Sequence, residues 1–186
     1  MKFPLPSLIL AVLLSVQPAV ATEWRVLQDR SSIRFDYTRD GTPATGEFTR
    51  LTGEATMSRD APESAQLLLK IDTESINLYE DFATAFATSA EWFDSRNHRF
   101  VTYSLRTLQP REDGRFDAFG DLTLRGETKP IQAIVSLEIG DNDVRAQGTL
   151  SIKRWDYLLG VGPSAVFVEI GPEVQVTFDL RATPAN

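Results

Sequence analysis

The chain has 186 residues, a formal net charge of −7 at pH 7 and no cysteine. Its isoelectric point near 4.8 argues against nucleic-acid binding, which depends on clustered Lys and Arg side chains. It also argues against docking on anionic membranes through a basic patch. The absence of cysteine excludes disulfide bonds and a lipid anchor on cysteine.

The N-terminal residues have the features of an export signal. Lys2 provides a positive start, residues 5–16 are mostly apolar, and residues 19–21 form an A-x-A cleavage site. We therefore predict a secretory signal peptide over residues 1–21, cleaved after Ala21, and a single periplasmic domain over residues 22–186. The alternative, an uncleaved membrane anchor, is disfavoured because roughly 20 apolar residues are needed to span a bilayer.

The first half of the mature chain predicts four strands. They cover residues 24–27, 32–38, about 46–57 and 65–71, where apolar and polar side chains alternate with the period of a half-buried strand. Gly53 lies inside the third strand and is a candidate for a kink.

Residues 79–93 break this alternation. Their large apolar side chains recur at spacings of three and four residues, which predicts an amphipathic helix. This segment is the one good helix candidate in the sequence of the mature chain.

The second half predicts strands at residues 101–105, 116–124, 129–139, 144–153, 165–170 and 174–181. From these ten segments, the shortest of which covers four residues, we expect eight or nine strands, together with one helix. We therefore predict an all-β fold, an eight-stranded antiparallel β-barrel with one capping α-helix. The interior of an eight-stranded barrel is either a packed core or a pocket for one small ligand.

No arrangement typical of catalysis is present in the sequence. His98 is the single histidine, which excludes a metal site built on two histidines. Ser164 lies in a segment similar to G-x-S-x-G, but Val166 replaces the last glycine. Two acidic pairs could in principle act as acid and base, Asp72 with Glu74 and Glu80 with Asp81. The first lies at a strand end and the second before the helix, where solvated or capping roles are usual. We predict no catalytic residue, no metal and no cofactor.

Five segments resemble motifs of the YceI-like proteins, in the same order and with similar spacing. They are GEFTRLTG at 46–53, IDTESIN at 71–77, SAEWFD at 89–94, GDLTLRGETKP at 120–130 and IKRWDY at 152–157. The sequence departs from the usual family pattern at His98 and Arg99, where a Tyr-Pro pair is common, and in the more apolar helix segment at 82–88.

The resemblance implies an exported, lipocalin-like barrel that holds a long apolar chain without catalysis. The implied ligand is an amphiphilic lipid, either a polyisoprenoid, a quinone-like molecule or a fatty-acid derivative, and the implied role is its binding, storage or transport. The resemblance also suggests a homodimer and a membrane cytochrome as partners. It implies neither stable membrane insertion nor nucleic-acid binding.

The predicted ligand-binding side chains are large, apolar or aromatic, and expected to face the interior. They are Phe35, Phe48, Leu67, Leu69, Phe82, Phe86, Trp92, Phe93, Tyr103, Leu122, Leu124, Trp155 and Phe167. Lys153 and Arg154 are candidates for a contact with a phosphate or carboxylate head group. The alternative for these two residues is an ordinary salt bridge to Asp156 or Glu169.

Three functions remain open from the sequence. A continuous apolar tunnel would favour a lipid carrier. An interior closed by large side chains would favour an interaction or stress-protection module that works with a membrane redox partner. A buried cluster of titratable groups would favour an unrecognised enzyme.

Overall fold

The computed structural model describes residues 21–163 and 168–185. Its strands are β1 (Thr22–Val26), β2 (Ser32–Arg39), β3 (Thr42–Phe48), β4 (Leu51–Ser58), β5 (Ala61–Asp72), β6 (Ile76–Asn77), β7 (Phe100–Pro110), β8 (Phe116–Leu124), β9 (Glu127–Ile139), β10 (Val144–Lys153) and β11 (Glu173–Pro184). One α-helix, α1 (Asp81–Ala87), lies among the described residues, together with short 3₁₀ turns at Gln28–Arg30, Thr73–Ser75 and Arg154–Tyr157.

Eight of the strands form a closed antiparallel ring. Its order is β1-β4-β5-β7-β8-β9-β10-β11, and pairing of β1 with β11 closes it. Strand β2 pairs with residues 175–179 of β11, next to the stretch 182–184 that pairs with β1, and β3 and β6 continue the sheet from β2. This arrangement confirms the predicted all-β fold, an eight-stranded antiparallel barrel with one helix.

A glycine in the alternating sequence of β10 lies beside a large aromatic ring of the next strand. Gly148 pairs with Val135 on β9 and with Phe178 on β11. A Cβ atom at residue 148 would lie 2.6 Å from Cζ of Phe178. The glycine therefore makes room for the Phe178 ring on the inner face, while the apolar residues around it supply the wall of the barrel.

The strand predicted over residues 46–57 is interrupted, but not at Gly53. The break lies at Thr49 and Arg50, between β3 and β4. The backbone N–H groups of both residues donate to Ser75, at its carbonyl and hydroxyl oxygens respectively. The turn around Ser75 therefore takes the hydrogen bonds that a continuous strand would use.

The helix is shorter than the predicted 79–93. It ends at Ala87, and the Thr88 hydroxyl donates to the carbonyl of Ala85. Such local hydrogen bonds of Thr side chains compete with helix propagation. The residues that follow form turns, from which both Trp92 and Phe93 point toward the interior.

The strand predicted at 165–170 is not formed over its described part. Ile170 makes an isolated bridge with Arg39, and residues 168 and 169 are irregular. Residues 165–167 of this prediction, and residues 1–20 of the predicted signal peptide, lie outside the described residues. In the described part of the chain, no helix is long and apolar enough to cross a membrane.

Candidate ligand cavity

A cavity of about 350 Å³ lies inside the ring. All eight ring strands contribute side chains to its wall, and so do β2, β3 and β6. The helix α1 contributes Phe82, Ala83, Phe86 and Ala87. The wall is built from the inward-facing residues of each strand, so the sequence alternation described above is its direct cause. The interior of the barrel is therefore neither filled by side chains nor polar.

Eleven of the thirteen predicted ligand-binding residues border this cavity. They are Phe35, Phe48, Leu67, Leu69, Phe82, Phe86, Trp92, Phe93, Tyr103, Leu122 and Leu124. Their contact with a ligand stays a prediction. Sequence reasoning missed the small and β-branched lining residues, such as Ala133, Val135 and Val176. The alternation in β9 and β11 carries the signal that would have found them.

Trp155 does not border the cavity, contrary to the prediction. The alternation of β10 ends at Lys153, and the 3₁₀ turn that follows leaves Trp155 54% exposed while Tyr157 is buried. The alternation of β10 therefore does not predict which side chains face the interior beyond Lys153. Phe167, the other remaining candidate, lies outside the described residues.

The two head-group candidates lie in different surroundings, and their contact with a ligand stays a prediction. Lys153 is exposed on the outer side of the barrel. Arg154 is buried beside the cavity, but its guanidinium donates to the carbonyl oxygens of Leu159, Gly160, Ile170 and Gly171 at 2.6 to 3.2 Å. Among the described residues its partners are these carbonyls and not the carboxylates of Asp156 or Glu169, and burial lowers the pKa of Arg154. Arg154 thus fixes the loops at this end of the barrel.

One end of the cavity is covered by large side chains. Trp24 is 2% exposed and packs with Met57 and Val144 where β1, β4 and β10 meet. The indole Nε1 of Trp24 donates to the Met57 carbonyl, and the guanidinium of Arg59 lies 5.5 Å from the Trp24 ring centroid. At the opposite end, beside α1, an exposed side chain, Phe82, borders the cavity.

The α1 end has an entrance formed by Arg39, Glu80, Phe82 and Phe86, all of which border the cavity. Phe82 is 82% exposed, and its ring stacks on Phe86 at a centroid distance of 6.1 Å. Phe86 lies 6.1 Å from the Trp92 ring. A row of aromatic rings therefore runs from solvent into the barrel.

An ion pair spans the polar side of this entrance. Arg39, at the end of β2, donates through Nη1 and Nη2 to the two carboxylate oxygens of Glu80, at 3.1 and 2.8 Å. These hydrogen bonds hold the pKa of Glu80 below its usual range. Both side chains therefore carry their charges at neutral pH, and the pair has no net charge.

The interior contributes little charge. Among the described residues, the charged side chains that border the cavity are Arg39, Glu80 and Arg154. Tyr103 also borders it, and burial raises the pKa of the Tyr103 hydroxyl to about 12. That phenol is neutral at physiological pH. The wall that the described residues form is thus suited to an apolar chain.

Comparison with known proteins places the fold in a family. The sequence model of a protein family, the YceI-like domain, matches residues 24–182. The chain belongs to the YceI-like family. A UPF0312 protein of Pectobacterium carotovorum is 27% identical over 135 residues, which cover 67% of this chain and 69% of that protein.

Solved structures share the same barrel. The crystal structure of BcnA from Burkholderia cenocepacia has a TM-score of 0.77 at 20% identity, covering 85% of this chain and 99% of BcnA. A polyisoprenoid binding domain from Saccharophagus degradans has a TM-score of 0.70 at 21% identity, covering 87% of this chain and 98% of that domain. At these identities the likeness establishes the fold of this YceI-like chain.

Proposed function

We propose that this YceI-like protein binds a long apolar chain inside the barrel and stores or transports it, without catalysis. The observation that carries the proposal is the apolar cavity of about 350 Å³, which reaches exposed side chains beside α1. Its volume lies within the usual range for ligand pockets, about 300 to 1,000 Å³. The open interior favours this function over an interaction module with a filled barrel.

Elementary energetics support an alkyl or prenyl ligand. Moving each CH₂ group from water into an apolar wall contributes about 0.8 kcal/mol before ordering costs. The similar structure from Saccharophagus degradans is a polyisoprenoid binding domain, which favours a polyisoprenoid as the type of chain. A water-insoluble chain of this kind needs a protein to carry it through an aqueous compartment.

The tryptophans allow a direct test with brominated lipid. Trp24 and Trp92 border the cavity at its two ends, and Trp155 is outside it. In variants that keep one tryptophan and replace the other two by Phe, a brominated acyl chain should quench Trp24 and Trp92 but spare Trp155. Equal quenching of all three, or none, would contradict binding inside the barrel.

The compartment is the second part of the proposal. We propose that the signal peptide delivers the domain to the periplasm, where the carrier function is needed. Fractionation of cells expressing the full chain should recover a periplasmic protein whose N-terminal residue is Thr22. A cytoplasmic protein that retains Met1 would overturn this part without affecting the cavity. The suggested homodimer and membrane cytochrome partner stay predictions.

A further inference from the structure

We propose that the entrance selects ligands with an uncharged polar head group, such as an alcohol, over the same chain bearing a phosphate or carboxylate. This inference rests on the proposed function, because it assumes that an apolar chain fills the barrel. It concerns the Arg39–Glu80 pair, which borders the cavity at the end beside α1.

Glu80 already neutralises the positive charge of Arg39. Two of its N–H groups donate to the two oxygens of Glu80, and the side chains are 35% and 58% exposed, respectively. A head group at the entrance therefore meets a dipole and not a free cation. An anion bound there would have to displace Glu80 or lie beside its negative charge.

The other nearby cations are unavailable to a head group. The Arg154 guanidinium is occupied by the carbonyls of Leu159, Gly160, Ile170 and Gly171. Lys153 is on the outside of the barrel. Within the described residues, no cation that borders the cavity lacks such partners. An anionic head group would lose hydration at the entrance without gaining a new opposite charge.

The hydroxyl group of an alcohol can form hydrogen bonds with both members of the Arg39–Glu80 pair. It can donate to a carboxylate oxygen of Glu80 and accept from an N–H of Arg39 that is not directed at Glu80. It carries no charge to desolvate, and it leaves the ion pair intact. The expected cargo is therefore a neutral amphiphile, with its chain inside and its polar end beside Arg39 and Glu80.

The experiment compares two probes that share one C20 prenyl chain, geranylgeraniol and geranylgeranyl pyrophosphate. Their dissociation constants are measured for the protein at pH 7 by displacement of a fluorescent lipid. We expect the alcohol to bind at least about tenfold more tightly, equivalent to about 1.4 kcal/mol. Glu80→Gln should reduce this ratio by strengthening pyrophosphate binding, because it frees the Arg39 charge.

Asp113→Asn is the matched control. It removes the same single negative charge from the turn between β7 and β8, where Asp113 pairs with Arg115. We expect it to leave the ratio unchanged, so a change seen with Glu80→Gln alone is local to the entrance. Equal effects of the two variants would mean that net charge, and not the entrance, sets the preference.

The outcomes separate this inference from the proposed function. Pyrophosphate binding that equals or exceeds alcohol binding would overturn the preference for a neutral head group while supporting a lipid cavity. No binding of either probe, together with no quenching by brominated lipid, would contradict the lipid cavity, and this inference would fall with it.

Discussion

The indole of Trp92 lies directly over Gly160. A Cβ atom at residue 160 would be 2.6 Å from Cη2 of Trp92, and Gly160 has a φ of +61°. The backbone N–H of Gly160 also donates to the carbonyl of Glu91 at 2.8 Å. This contact joins the segment after α1 to the loop after β10, and so fixes Trp92 in the cavity wall.

Gly160→Ala should displace this contact. The new methyl group meets the indole and is also unfavourable at positive φ, whereas Gly114 has a φ of +79° with nothing within 4 Å of its Cβ position. We expect Gly160→Ala to cost about 1 to 3 kcal/mol more of unfolding free energy than Gly114→Ala. Denaturant unfolding measures the difference, and equal costs would show that the Trp92 contact contributes nothing.

Phe86→Asp should abolish retention of an apolar chain. Phe86 lies between Phe82 and Trp92 in the row of rings that enters the cavity. An unpaired carboxylate there must be desolvated when the chain enters, so we expect affinity to fall at least about 100-fold.

Ala85→Asp is the control for Phe86→Asp, because Ala85 is exposed on the same helix and does not border the cavity. Both variants are compared by displacement of a fluorescent lipid after circular dichroism has shown that each is folded. A folded Phe86→Asp protein with unchanged affinity would remove Phe86 from the binding site.

Most of the barrel could be predicted from the sequence, but less of the end beside α1 could. Strict alternation predicts which residues of a strand face inward, and Leu67, Leu69 and Leu122 border the cavity as this rule requires. The rule applies only within a strand, so it does not predict that Trp155, which follows β10, is exposed. The backbone partners of Arg154 come from residues 5 to 17 positions away, and no local pattern reveals such a convergence.

Acid should weaken the fold through Asp72. Burial opposes ionisation of this carboxyl, but hydrogen bonds from Arg99, Arg50 and the Glu74 backbone outweigh burial and lower the pKa of Asp72. Because the pKa is lower in the folded state, this stabilisation is present above the unfolded pKa of about 3.9 and is lost as pH falls further.

Asp72→Asn measures this contribution. We expect the substitution to cost about 2 kcal/mol of unfolding free energy at pH 7, and to cost less at pH 3, where wild type has itself lost part of the interaction. Asp141→Asn, in the exposed turn between β9 and β10, is the control. A cost of Asp72→Asn that is independent of pH would contradict the assignment.

Arg154→Lys should loosen the loops beside the cavity although it keeps the positive charge. An ammonium group cannot reproduce the planar fork that reaches four carbonyl groups. We expect a loss of about 2 to 3 kcal/mol in unfolding free energy, against less than about 0.5 kcal/mol for the exposed Lys153→Gln control. Wild-type stability of Arg154→Lys would show that these hydrogen bonds are dispensable.

The most direct test of the lipid-carrier account is native mass spectrometry of the protein purified from cells that express the full chain, followed by organic extraction. The account predicts a discrete non-covalent adduct on the protein, which extraction releases as a prenyl or acyl lipid with an uncharged polar head group. A protein that is free of adducts, and that takes up no member of a panel of prenyl and acyl lipids, would contradict it.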